Sequence, residues 1–242
     1  MMYVRGRAKY FMIGAVCLLA LLLGSGGWVA AKEKKTEPPK NEATPVLEEA
    51  SSDWWNKIIS DIKKSEYNIT WQDKTSLSGL GAAWQAPNRA HNLRTYFSEK
   101  GPRVIQRTED VSNWTWGLEL VKSGSGSYRA SVPPVVDTCV NDNRLEYVRK
   151  GLVEWYVNNE NGLEQGFTVE KASATGDIVI ELTVQGDLTA YLTKEGDKIE
   201  FMTDDMVTVL EYSKLLVTDA SGKTLPSEMS VINEGTGIQL WA

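Results

Sequence analysis

The chain has 242 residues, a formal net charge of −6 and 42% hydrophobic residues. This length suffices for one large domain or two small ones. Because nucleic-acid binding depends on Lys and Arg side chains that neutralise phosphate, the acidic balance excludes nucleic acid as an expected partner.

Residues 1–31 have the composition of a secretory signal peptide. Arg5, Arg7 and Lys9 precede an apolar run over residues 11–23, and small residues follow at 29–31. The run is shorter than the ~20 apolar residues that a membrane-spanning helix needs. We therefore predict cleavage and a secreted or cell-surface protein. The alternative, an uncleaved segment, is the only membrane attachment that we expect.

The next part of the chain changes from a linker to a helix. Residues 32–52 are rich in charged residues and contain three prolines, a composition typical of a flexible linker. Apolar residues then recur at helical spacing on one face; they are Trp54, Trp55, Ile58, Ile59 and Ile62. We predict one N-terminal amphipathic helix that packs this apolar stripe onto the domain.

From Tyr67 onward, apolar and polar residues alternate in short runs separated by turn residues. The runs include Tyr67, Ile69 and Trp71; Trp114, Trp116, Leu118 and Leu120; and Ile178, Ile180, Leu182 and Val184. This pattern is typical of antiparallel sheets packed face to face. We predict a mainly β fold with antiparallel β-sandwich-like sheets over residues 53–242. Two lobes, residues 53–128 and 135–242, are the alternative to one sandwich.

The stretch GLVEWYVNNENGLEQGFTV, residues 151–169, combines aromatic residues with side-chain amides. The alternation of Val153, Trp155 and Val157 indicates a strand, and Asn161-Gly162 is expected to supply the positive backbone angles of a tight turn. The amides are interpreted as turn residues. A sugar-binding surface is the alternative, because Trp155 and Tyr156 point to opposite faces of a strand.

The sequence lacks the motifs of the common catalytic and metal sites. His91 is the single histidine, so a zinc site or a Ser-His-Asp triad has no complete set of residues. Cys139 is interpreted as a small core residue. We expect no metal, no cofactor and no enzymatic activity. Two alternatives stay open: a carbohydrate-binding module that uses exposed aromatics, and a carboxylate-based glycoside hydrolase. The candidate ligand-binding residues are Trp84, Trp114, Trp155 and Tyr156.

Three stretches carry a resemblance to a known family: SEYNITWQDKTSL, WQAPNRAHNLRTYF and LEYVRKGLVEWYVNNENGLEQGFTV. They resemble the β-rich N-terminal region of large bacterial secreted or surface proteins that carry FG-GAP or similar β-propeller repeats downstream. Those repeats are absent here. The resemblance implies a non-enzymatic, extracytoplasmic structural or adhesive module whose partner is a cell-surface protein or a glycan. In the family's pattern a further strand follows residues 237–241, so we expect the last strand here to form an unpaired edge.

Overall fold

A computed structural model describes residues 11–17, 52–108, 113–170 and 176–242. The predicted linker lies outside the described residues, apart from Ser52. So does most of the predicted signal peptide, with the exception of Phe11–Cys17. Among the described residues, no helix is long and apolar enough to cross a membrane.

The described chain contains one α-helix, one short 3₁₀-helix and eighteen strands. The helices are α1 (Ser52–Ser65) and the 3₁₀-helix (Asn233–Gly235). The strands in the first half are β1 (Phe11–Cys17), β2 (Thr70–Gln72), β3 (Ala83–Asn88), β4 (Leu93–Ser98), β5 (Gly101–Gln106), β6 (Trp116–Ser125), β7 (Tyr128–Ser131), β8 (Asp137–Asn141) and β9 (Arg144–Arg149). Those in the second half are β10 (Leu152–Asn159), β11 (Gly162–Val169), β12 (Ile178–Gly186), β13 (Thr189–Leu192), β14 (Lys198–Met202), β15 (Thr208–Thr218), β16 (Thr224–Leu225), β17 (Glu228–Ile232) and β18 (Gly237–Trp241).

The strands form two antiparallel sheets. Sheet A has the order β13-β14-β15-β1-β11-β10-β9-β8, with β16 beside β15. Sheet B has the order β17-β18-β12-β6-β5-β4-β3-β2, with β7 beside β6. The predicted mainly β fold with antiparallel sheets and a single N-terminal helix is confirmed.

One core lies between the sheets. Its buried residues include Trp116 of sheet B, which contacts Phe201 of sheet A with ring centroids 4.8 Å apart. Phe97 and Tyr156 form a second contact of this kind at 5.2 Å. Buried residues on both sides of residues 123–134 belong to the same cluster. Residues 53–128 and 135–242, the two lobes of the alternative, therefore both contribute to this core.

Two local predictions about backbone and edges are wrong. Asn159 pairs with Gly162, so the two-residue turn consists of Glu160 and Asn161 and not of Asn161 and Gly162. Of the predicted pair, only Gly162 has a positive φ, 126°. The last strand, β18, is not an edge, since it pairs with β12 on one side and β17 on the other.

Cys139 is exposed, so its interpretation as a core residue is also wrong. It lies on β8, the outermost strand of sheet A, where only Val140 packs against the core. The negative charge of Asp137, aided by partial desolvation, raises the pKa of the Cys139 thiol. A raised pKa disfavours the thiolate and hence the reactivity of this cysteine.

Phe11–Cys17, at the start of the predicted apolar leader run, forms a strand inside sheet A. It pairs with β11 on one side and with β15 on the other. The prediction that residues 1–31 are a cleaved signal peptide stays a prediction. Cleavage after residue 31 would remove β1, a central strand of sheet A.

Candidate binding surface

The apolar face of α1 is exposed. Trp54, Trp55, Ile59 and Ile62 have 50%, 54%, 47% and 57% of their surface accessible, and we call these four residues the apolar helix face. The prediction that this stripe packs onto the domain is therefore wrong. The two sheets already close the core against each other, so the helix is not needed to cover it. Exposed clusters of large apolar side chains are typical of interaction surfaces.

A polar cleft lies between α1 and two hairpin turns of sheet A. It has a volume of about 1000 Å³. Its asparagines come from separate parts of the chain, and we call it the asparagine cleft after them: Asn56, Asn68, Asn143, Asn159 and Asn161. Ile59 of the apolar helix face also lines the cleft. The apolar helix face and the asparagine cleft therefore meet at Ile59.

Asn158, which is buried, holds the segments around the cleft together. Its side-chain amide donates to the backbone oxygens of Tyr67 (2.9 Å) and Pro87 (2.7 Å). Its Oδ1 accepts from Asn88 (2.9 Å), and its backbone oxygen accepts from Asn143 (2.7 Å). Because a side-chain amide offers two donors and one acceptor, a single buried asparagine can fix several segments. Asn158 thus positions Asn159, at the end of β10, and the turn residue Asn161 that follows it.

Three of the four predicted ligand-binding aromatics are buried. Trp114, Trp155 and Tyr156 are 4%, 5% and 1% exposed. The indole of Trp155 lies over Gly166, where an added Cβ would meet the ring at 2.0 Å. The guanidinium of Arg144 stacks on this indole at 4.4 Å. These three residues do not form the flat exposed surface that the carbohydrate hypothesis required of them.

Trp84 is half-buried and lies next to an exposed tryptophan. From the sequence, this second tryptophan belongs to one of the alternating apolar runs. This residue is Trp71, which is 51% exposed and contacts Trp84 edge-to-face, with centroids 5.5 Å apart. Its indole N–H donates to Asp73 at 3.1 Å. Trp71 lies on β2, the outermost strand of sheet B. Edge position explains its exposure, and alternation alone does not reveal which strand is an edge.

A buried polar network lies inside sheet A. The Tyr156 hydroxyl donates to Oε1 of Glu154 at 2.5 Å, and Gln165 donates to the same oxygen at 3.1 Å. Arg149 approaches the other carboxylate oxygen at 3.5 Å. Burial raises the pKa of Glu154 despite these partners, which act to lower it. Since Glu154 is fully buried, we expect the network to affect the stability of the fold.

The asparagine cleft also contains the carboxylates Asp61, Asp142 and Glu160. The part of the chain that the structure describes contains no group of three or more His, Cys, Asp or Glu side chains able to hold a metal ion. The hydrolase hypothesis requires two acids facing each other across a cleft, ~5 to 10 Å apart. It stays a prediction.

Comparisons with protein families, with curated proteins and with solved structures found no match to this chain. The resemblance to the N-terminal region of FG-GAP-associated surface proteins therefore stays an expectation from the sequence.

Proposed function

We propose that the protein is a non-enzymatic, extracytoplasmic adhesive or structural module whose contact surface is the apolar helix face. The observation that carries this proposal is the exposure of two tryptophans and two isoleucines on one side of α1. Tryptophan is enriched among the residues that dominate binding energy at interfaces. The extracytoplasmic location is supported by the leader-like composition of residues 1–31.

The neighbouring asparagine cleft supplies a polar rim to this apolar surface. An apolar centre with a polar, solvent-accessible rim is the usual organisation of a protein interface. The expected partner is therefore a macromolecule at the cell surface. An apolar small molecule fits less well, because such ligands occupy pockets lined mainly by hydrophobic side chains.

Adhesion under flow tests the proposal. Beads coated with the full chain are passed over surfaces coated either with the same chain or with purified cell-surface glycans. We expect retention that falls at least tenfold for Trp54→Ser/Trp55→Ser, with an unchanged melting temperature. The matched control is Lys57→Ser, an exposed residue of α1 outside the apolar helix face. Equal retention of wild type and the tryptophan variant would contradict the proposal.

A second candidate function is carbohydrate binding in the asparagine cleft. It is favoured by the five asparagines that line the cleft, because sugar hydroxyls both donate and accept hydrogen bonds and side-chain amides match them in both roles. A glycan array of the full chain with Asn68→Ala/Asn161→Ala tests it. Binding lost in this variant but kept in Trp54→Ser/Trp55→Ser would assign glycan recognition to the cleft.

A further inference from the structure

The position of β1 in sheet A points to an acceptor site for an extended strand. Phe11–Cys17 pairs with β11 over seven residues, from Phe11 opposite Val169 to Cys17 opposite Leu163. It pairs with β15 from Met12 opposite Thr218 to Val16 opposite Ser213, with one register shift after Ala15. Both pairings are antiparallel. One seven-residue segment therefore satisfies the backbone groups of two neighbouring strands.

Sheet A depends on this segment for its continuity. Without β1, the strands β13 to β16 on one side and β8 to β11 on the other have no hydrogen-bonded connection in the described sheet. Both β11 and β15 would then present rows of unpaired N–H and C=O groups, which are a template for another strand. Their inward residues Leu163, Phe167 and Val217 belong to the core, so an open gap would also expose apolar surface.

The segment that fills this gap coincides with the apolar run of the predicted signal peptide. Residues 11–17 lie within the leader, residues 1–31, that we expect to be cleaved. Cleavage would therefore remove the strand and open both edges. Adding a strand to exposed sheet edges is an established mode of peptide recognition, in which backbone hydrogen bonds give affinity and alternate side chains give specificity.

We propose that the gap between β11 and β15 is a strand-acceptor site that takes an extended apolar segment of a partner polypeptide once residues 1–31 have been removed. The site requires about seven residues antiparallel to both neighbours. It also requires a small residue at the fourth position. There, Gly14 lies opposite Gly166, over which the Trp155 indole lies. This proposal is independent of the apolar helix face.

The first experiment tests whether Phe11–Cys17 occupies the gap in the full chain. The chain is made by cell-free synthesis without membranes, so that the leader is retained, in a Cys139→Ser background. Directly opposed residues of antiparallel strands have Cα atoms close enough for a disulfide. Leu163→Cys is opposite Cys17 and is expected to cross-link to it on mild oxidation. The matched control Glu164→Cys, one residue along, is expected not to. Equal cross-linking of both would overturn the pairing.

The second experiment tests exchange. A protease site is inserted among residues 32–40 of the full chain, and the purified protein is cleaved there. A fluorescent peptide with the sequence of residues 11–17, Cys17→Ser and a lysine tail, is then added, and binding is followed by fluorescence anisotropy. We expect saturable binding, competition by the unlabelled peptide, and at least tenfold weaker binding for Gly14→Pro and Gly14→Val peptides.

Proline removes a backbone donor, so the Gly14→Pro peptide tests the backbone hydrogen bonds to the neighbouring strands. Valine keeps the donor and adds bulk, so the Gly14→Val peptide tests the space beside Gly166. Equal binding of all three peptides would identify non-specific apolar adsorption and overturn the proposal. The proposal would also be overturned if the cleaved protein binds no peptide, or if it binds only a second copy of the cleaved protein.

Discussion

The aromatic residues of β10 and those of α1 have opposite environments. Trp155 and Tyr156 are adjacent in sequence and point to opposite faces of sheet A, yet both are buried. Trp54 and Trp55 are also adjacent, and both are about half exposed. The pattern of each segment identifies an apolar face, but what covers that face depends on the rest of the fold. Aromatics of β10 are expected to contribute stability, and those of α1 to contribute binding.

The largest effect is expected at Trp155. Trp155→Ala removes a buried indole and its stacking with Arg144, and a change of this kind costs about 3–5 kcal/mol of unfolding free energy. Urea denaturation measures the loss. Gly166→Ala provides a second test, because its Cβ would overlap the indole and force it to move. A loss below 1 kcal/mol at both positions would show that the indole is not packed as described.

Asn158→Ala is expected to have the next largest effect. It removes the hydrogen bonds of the Asn158 side chain to the backbone oxygens of Tyr67 and Pro87 and to Asn88, and each buried group left unsatisfied costs about 1–3 kcal/mol. The same change should release the end of β10 and the turn of Glu160 and Asn161, and hydrogen exchange should become faster there. Asn159→Ala is the control, because Asn159 Oδ1 accepts only the local bond from the Asn161 N–H among the described residues. Equal losses would contradict the anchoring role of Asn158.

Glu154 is expected to make stability depend on pH in a defined direction. Burial raises the pKa of its carboxyl above the usual value of about 4.3. Since the folded state holds the proton more tightly, protonation of Glu154 stabilises the fold. This stabilisation is complete below the unfolded pKa and is lost as pH rises through the folded pKa. Glu154→Gln does not titrate, so its unfolding free energy should rise relative to wild type over the window that starts near the unfolded pKa of about 4.3 and extends to higher pH.

Urea denaturation at several pH values across this window gives the difference between the two proteins. Glu146→Gln is the control on the same sheet, because Glu146 is partly exposed and pairs with Arg144 at the surface. A constant difference between wild type and Glu154→Gln across the window would refute the raised pKa.

The strands and the helix were predictable because their periods are local. Residues 116–120 and 178–184 alternate as buried strands do, and α1 has helical spacing. The candidate surface was not predictable, since Asn56, Asn68, Asn143 and Asn161 meet only after distant hairpins are placed together. Local pattern also gave no sign that Trp71 lies at an edge. The leader-like composition of Phe11–Cys17 also did not indicate that this segment pairs inside sheet A.

The smallest stability effect is expected on α1, where the comparison with β10 is sharpest. Trp54→Ala/Trp55→Ala should leave the unfolding free energy within about 0.5 kcal/mol of wild type, because exposed side chains away from the core contribute little. Acrylamide quenching distinguishes the two regions directly. Removing Trp54 and Trp55 should lower the fraction of tryptophan emission that the quencher reaches, whereas Trp155→Phe should lower the protected fraction. If the α1 variant instead loses several kcal/mol and keeps its quenchable fraction, the helix face is packed in solution and the adhesive surface must lie elsewhere.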